Sequence, residues 1–235
     1  MAEKRVTRKE LLKAPDEFIS TTGQVFQFVR ERPRLVGIAS VVALVCVLAL
    51  AGFFAYKKQQ QTKSHELFER AAGEYEALTR GPTPPTSEQL DKLFAEFDSI
   101  SKNHPSSTSG EMALLYSGHV LYSKKDYQGA LARYTQFQST SLSKSGLEPL
   151  VMYHIATTRF ALKEYEEAKR LFEDLAKDTN SPYRREAYAS VARIYEAMKK
   201  NKEAVQAYRQ YLKMFPEAPD AAFVKARIAD LTGEA

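Results

Sequence analysis

Three pairs of small residues, each pair twelve positions apart, constrain this chain more than any other feature. They are Gly118 and Ala130, Ala156 and Ala168, and Ala192 and Ala204. Two short helices joined by a turn come nearest at one crossing point, and how close they come is set by the side chains there. Gly or Ala at both positions lets the backbones meet. Four residues past the second member of each pair stands an aromatic: Tyr134, Phe172 and Tyr208. Tyr127 and Tyr165 precede the second member by three, and Asn201 departs from that pattern in the third unit. Pro216 stands twelve beyond Ala204, where its ring ends a helix. The apolar pattern after residue 63 is helical, with no run of period two. The sequence therefore predicts an all-α chain of repeated helical hairpins: Met112 to about Leu142, Leu150 to about Asp178, and Arg185 to Pro216.

An earlier, degenerate hairpin is expected from Lys63–Thr79 and Ser87–Lys102. Gly81-Pro82-Thr83-Pro84-Pro85-Thr86 is the breaker between its helices. Ser87 reads as its cap. Leu90, Leu93, Phe94, Phe97 and Ile100 form its apolar face, and Pro105 closes it as Pro216 closes the third unit. A last helix, Ala221 to Leu231, would cap the stack. The expected organisation is a tail over 1–34 with an amphipathic helix and a transmembrane helix over 35–56. A linker helix with the degenerate hairpin follows over 57–110, then three hairpins with their capping helix over 111–235.

The transmembrane reading comes from Leu35–Tyr56, which holds no charged residue. At about 1.5 Å of rise per residue such a helix covers the roughly 30 Å hydrocarbon core. Arg30, Arg32 and Arg34 precede it, Lys57, Lys58 and Lys63 follow, and Phe53 and Tyr56 sit where interfacial aromatics belong. Ala49-Leu50-Ala51 resembles a signal-peptide cleavage site, but apolar residues continue through Phe53, Phe54 and Ala55, which favours an uncleaved anchor. Val45 before Cys46 argues against a lipoprotein signal. Basic residues are nearly balanced across the span, and long domains translocate largely regardless of local charge. The expected topology is tail inside and repeats outside. In the tail, Pro15-Asp16-Glu17 reads as a helix start, and Phe18, Ile19, Val25, Phe26 and Val29 share one face. That face suits a helix lying on the membrane surface, or one docking a cytoplasmic partner.

Charge excludes some functions. Of the formal net charge of +5, the tail carries +3, so no basic face for nucleic acid is expected on the repeats. One cysteine rules out an intrachain disulfide. His65, His104, His119 and His154 show no metal-ligand spacing, and no phosphate loop, nucleophile elbow or HExxH occurs. The expectation is no enzyme, no cofactor, no metal and no small-molecule substrate, only protein partners and a membrane.

These small residues, aromatics and closing prolines resemble the tetratricopeptide-repeat (TPR) family, whose repeat is about 34 residues. The units here recur at 38 and 36 residues, the excess falling in loops such as Ser139 to Gly146. The third unit matches best, with Ala192, Tyr195, Ala204, Tyr208 and Pro216. The resemblance implies a groove lined by the first helix of each hairpin. It places Leu115, Tyr116, His119 and Tyr122 there in the first unit, Tyr153, Thr157 and Phe160 in the second, and Ala189, Arg193 and Glu196 in the third. Such a groove would be aromatic at one end and charged at the other, with rings for the apolar side chains of an extended peptide and Arg193 for a carboxylate. The alternative for the rings is packing between hairpins. The single anchor, the Lys57-Lys58-Gln59-Gln60-Gln61 exit and the TPR region together resemble the YfgM-type ancillary subunit of the SecYEG translocon. That resemblance implies a bacterial inner-membrane protein with a periplasmic TPR domain, acting as a chaperone-like factor for exported polypeptides. The alternative is a structural scaffold in cell-envelope assembly, division or secretion machinery.

Overall fold

The computed structural model of the chain describes residues 26 and 28–233. The tail helix expected from Pro15 onward lies mostly outside them. From Pro33 onward the described residues form nine α-helices and one π-type turn, with no strand among the described residues. The chain divides into two compact units, residues 1–58 and 59–235.

The N-terminal unit contains the start of α1 (Pro33–Arg80). Every large apolar side chain from Ile38 to Tyr56 is at least 53% exposed, so no protein covers this stretch. Its aromatic end is tied locally: Phe53 meets Phe54 edge-on, and the Lys57 ammonium lies 5.5 Å from the Phe53 ring.

The second unit is a stack of helices in which sequence neighbours are spatial neighbours. Its elements after α1 are α2 (Ser87–Asn103), α3 (Thr108–Ser123), α4 (Tyr127–Gln138), α5 (Glu148–Ala161), α6 (Tyr165–Lys177), α7 (Arg184–Ala197), α8 (Asn201–Met214) and α9 (Ala221–Thr232). At the end of α1, Ser64, Phe68, Ala71 and Ala72 are buried, a helical face, while the Pro-rich breaker ends the helix at Arg80. The cap of α2 is Thr86 and not Ser87. Its hydroxyl accepts from Gln89 N, and the Gln89 side chain accepts from Thr86 N at 2.8 Å, a reciprocal capping box.

All five alanines of the small pairs are fully buried, as the crossing-point argument requires. The sixth position, Gly118, is stricter. A Cβ there would lie 2.5 Å from the Tyr134 ring, so only glycine leaves room for that tyrosine. Core packing runs along the stack in four clusters. Phe68, Leu93 and Phe97 join α1 to α2, and Tyr134, Phe137 and Val151 join α4 to α5. Phe172, Leu175 and Ile194 join α6 to α7, and Tyr208, Tyr211 and Val224 join α8 to α9.

Two turns recur. The first helix of each of the last three hairpins ends in a lysine with positive φ: Lys125 (63°), Lys163 (63°) and Lys199 (59°). The N–H of the following residue reaches back five positions each time, Asp126 to Leu121 O, Glu164 to Arg159 O and Lys200 to Tyr195 O, all at 2.9 Å. This closing bond is usually built on glycine. The second turn links the degenerate hairpin to the third unit. His104 and Phe215, each followed by proline, end their helices at φ −132° and −134°. The proline forbids a helical continuation at the preceding residue. The insertion after α4 is pinned by buried Glu111, whose carboxylate accepts from Ser141 Oγ at 2.9 Å and Leu142 N at 2.8 Å.

Candidate protein-binding groove

Among the described residues, side chains from three or four neighbouring helices line cavities of about 350, 240 and 150 Å³ on the stack, and one of these gathers four of the expected groove residues. It has a volume of about 240 Å³ and is lined by Tyr75 of α1, His119, Tyr122 and Ser123 of α3, Tyr134 of α4, and Tyr153, His154 and Thr157 of α5. Helical spacing explains the set: positions 119, 122 and 123 share one face of α3, and 153, 154 and 157 share one face of α5. Tyr134 rises from beneath, through the space that Gly118 leaves open, and its hydroxyl hydrogen-bonds His119 Nδ1 at 2.8 Å.

The chemistry of this pocket is aromatic and uncharged. The His119 and His154 rings stand 4.4 Å apart, edge to face, and Tyr134 stacks on His154 at 5.3 Å. Burial, with a smaller push from His154, lowers the His119 pKa to about 3. Burial alone lowers that of His154 to about 4. Both imidazoles are therefore neutral near pH 7. Burial also pushes the Tyr134 phenol up, so it stays protonated. Ser123 and Thr157 donate their hydroxyl protons to the backbone, to His119 O at 3.0 Å and Tyr153 O at 2.8 Å.

Of the groove residues expected from the sequence, His119, Tyr122, Tyr153 and Thr157 come together here. Three others serve packing. Leu115 is 2% exposed in the second core cluster, a correction to its placement in the groove. It falls on the side of α3 that faces α4 and α5. Tyr116 packs among Phe68, Tyr75 and Phe97, with ring centroids 5.2 to 5.7 Å away. Phe160 lies against Tyr165 and the third cluster.

The third unit supplies a separate cleft of about 150 Å³, lined on α7 by Arg185, Glu186, Ala189 and Arg193 and closed by α8 and α9. Arg193 is exposed and donates to Ser190 Oγ at 2.9 Å. Glu196 does not line this cleft. Its carboxylate accepts from the Tyr208 hydroxyl and from Arg227 of α9, whose Nε lies at 2.8 Å. Burial works to raise the Glu196 pKa, but the hydrogen bonds from Arg227 and Tyr208 outweigh it and hold the carboxyl below its ordinary value. Glu196 thus latches the capping helix.

Sequence reasoning missed His154, Tyr75, Ser123 and Tyr134 as pocket residues. Tyr134 carried a signal, because a ring four residues past a small position, opposite a glycine, has to fill that glycine's space. His154 carried one only through its position next to Tyr153. Among the described residues no group of three or more His, Cys, Asp or Glu is placed to hold a metal ion.

The comparisons agree with this geometry. Residues 28–233 match the tetratricopeptide repeat-like domain, and the chain belongs to that family. A tetratricopeptide repeat protein from Parabacteroides merdae superposes with a TM-score of 0.55 at 17% identity, over 74% of this chain and 61% of that one. The chain thus spans less than two thirds of that protein. Nearly identical TPR-like repeats ascribed to a kinesin light chain of Podosopora anserina superpose at 0.56 and 17% identity, over 74% and 89% of the two chains. MamA superposes at 0.52 and 14% identity, over 74% and 84%. At these identities the likeness is one of fold. No curated protein matches the chain. Stacked repeats of this kind create extended binding surfaces and serve generally in protein interaction.

Proposed function

We propose that this chain is a membrane-anchored protein-binding module, a chaperone-like ancillary factor at the protein translocon that assists exported polypeptides. The observation that carries this reading is the pairing of two features in one chain. One is an uncovered apolar helix, with none of its most apolar window buried. The other is a TPR-like stack with an open, uncharged aromatic pocket. An apolar stretch of this length that no protein covers is best satisfied by lipid. The N-terminus is assigned to the cytoplasm and the repeats to the periplasm, with residues 35–56 in the inner membrane. An aromatic pocket without fixed charge suits the apolar side chains of unfolded clients, which differ in sequence but share exposed rings.

A photoreactive residue in place of Leu44, cross-linked in the membrane and followed by mass spectrometry, tests the assignment. The expected product is an adduct to the protein-conducting channel. Adducts confined to another envelope complex would replace the translocon reading with that of a structural scaffold. Recovery of the protein in the soluble fraction would remove the anchor.

A further inference from the structure

We propose that the pocket between α1, α3, α4 and α5 is a one-residue specificity site that takes a tyrosine or tryptophan side chain from an extended peptide, with His154 as the hydrogen-bonding partner for the polar tip of the guest ring. The inference rests on the reading of the stack as a protein-binding module and names what that module selects.

Three observations define the occupant. The first is size. The pocket measures about 240 Å³, below the roughly 300–1,000 Å³ of sites that hold whole small molecules. One large side chain suits it, and a folded domain or a drug-sized metabolite does not. The second is charge. No Asp, Glu, Lys or Arg lines it, and its two histidines are neutral. A charged guest would lose its hydration with no counter-charge in return. Aromatic guests gain offset or edge contacts with the rings of Tyr75, Tyr122, Tyr153 and the two histidines. The third is His154. Among the described residues its ring has three aromatic neighbours, His119, Tyr134 and Tyr153, but no hydrogen bond. His119 has its partner in Tyr134, so the two imidazoles are not equivalent. An imidazole in the pocket wall without a protein partner favours a guest that brings a hydroxyl or an indole N–H over one that is only apolar. Phenylalanine and leucine fill the volume but leave His154 unpaired.

The chain contains no tryptophan, which supplies a clean readout. Unstructured Gly/Ser host peptides, each with one central guest residue, are titrated against the full-length protein in detergent. Emission from a Trp guest then reports only the peptide. A blue shift on binding is expected, with Tyr-guest peptide competing better than Phe-guest and Leu-guest, and Lys- and Glu-guest peptides not competing. Thr157→Phe fills the cavity and is expected to weaken Trp-peptide binding by roughly tenfold or more. His154→Leu is expected to keep Phe-guest binding and abolish the preference for Tyr and Trp, an outcome that a fold defect does not produce. Helix content and melting temperature are recorded for both variants. Equal competition by Leu and Tyr guests overturns the inference, as does Trp-peptide binding that survives Thr157→Phe in a folded protein. Failure here stays separable from failure of the translocon reading. If Leu44 cross-links to the channel while guests do not discriminate, only the pocket inference falls. If guests discriminate through His154 while no channel adduct forms, the pocket stands and the translocon assignment falls.

Discussion

The two ends of the repeat stack bury polar groups by opposite means. At the aromatic end, His119 and His154 are buried among rings and hydroxyls, and desolvation alone dominates their titration. The groups facing them are Tyr75 from α1, Tyr116, Tyr122 and Ser123 from α3, Tyr134 from α4, and Tyr153 and Thr157 from α5, none of them charged at neutral pH. At the other end burial is outweighed by partners. Glu196 is held by Tyr208 and Arg227, and the Tyr211 hydroxyl donates to Asp220, whose carboxylate also lies 3.8 Å from Arg185. A buried group without a counter-charge resists ionising, whereas one with partners is held in its charged form. The first arrangement makes a neutral aromatic pocket. The second makes a latch for the last helix.

Acid separates the two ends, and this is the largest effect expected. The imidazole pKa values fall from 6.5 unfolded to about 3 and about 4 folded. The unfolded chain therefore binds more protons between those limits. The aromatic end is fully stable above pH 6.5 and loses about 1.4 kcal/mol per pH unit per histidine as pH falls toward 4. Glu196 behaves differently. Its folded pKa lies below 4.5, so its contribution holds above that value and is lost only as pH falls through the lower folded one. Melting temperature against pH is expected to decline from about pH 6.5, and His154→Phe to flatten that slope without moving the more acidic loss. A flat profile between pH 6.5 and 4.5 would mean that the histidines are solvated.

The small-residue positions sharpen the comparison at the next level. At Gly118 a Cβ would lie 2.5 Å from the Tyr134 ring, while its counterparts Ala156 and Ala192 are fully buried alanines. Gly118→Ala is expected to cost about 1–3 kcal/mol by overpacking, despite the better helix propensity of alanine. The same change should displace Tyr134 from His119 and lower Trp-peptide affinity. Denaturant unfolding checks the first outcome and the peptide titration the second.

The smallest effect concerns the turns that both ends share. A lysine in the left-handed region costs roughly 1–2 kcal/mol, offset in a glycine variant by about 0.5–1 kcal/mol of extra unfolded-chain entropy. Lys125→Gly, Lys163→Gly and Lys199→Gly are each expected to stabilise the chain by up to about 1 kcal/mol. Equal gains at the three sites would show that the turns are interchangeable. A gain at Lys199 alone would show that the aromatic end sets its turns by packing.

Much of the fold was legible because repeats write themselves in local terms. The twelve-residue pairs, the aromatics four residues on and the prolines at 105 and 216 each act within one hairpin, and each does in the structure what its chemistry predicts. The groove was legible only in part. Carried over from the TPR resemblance, His119, Tyr122, Tyr153 and Thr157 fell together in one pocket and Arg193 fell in a charged cleft. Leu115 did not, because α3 is packed on more than one side and one phase cannot tell a groove face from an inter-hairpin face. Glu196 did not, because its partner Arg227 lies 31 residues away on the capping helix.

The sequence by itself determined the all-α repeat, the hairpin crossings and the uncharged apolar run, since backbone sterics, helical period and hydropathy act over a few residues. Only the tertiary structure decided which rings line the pocket and which pack between helices. It also brought His119 against His154, 35 positions apart in the chain, at 4.4 Å between ring centroids. Burial depends on neighbours from other helices, and the protonation of those two imidazoles depends on burial.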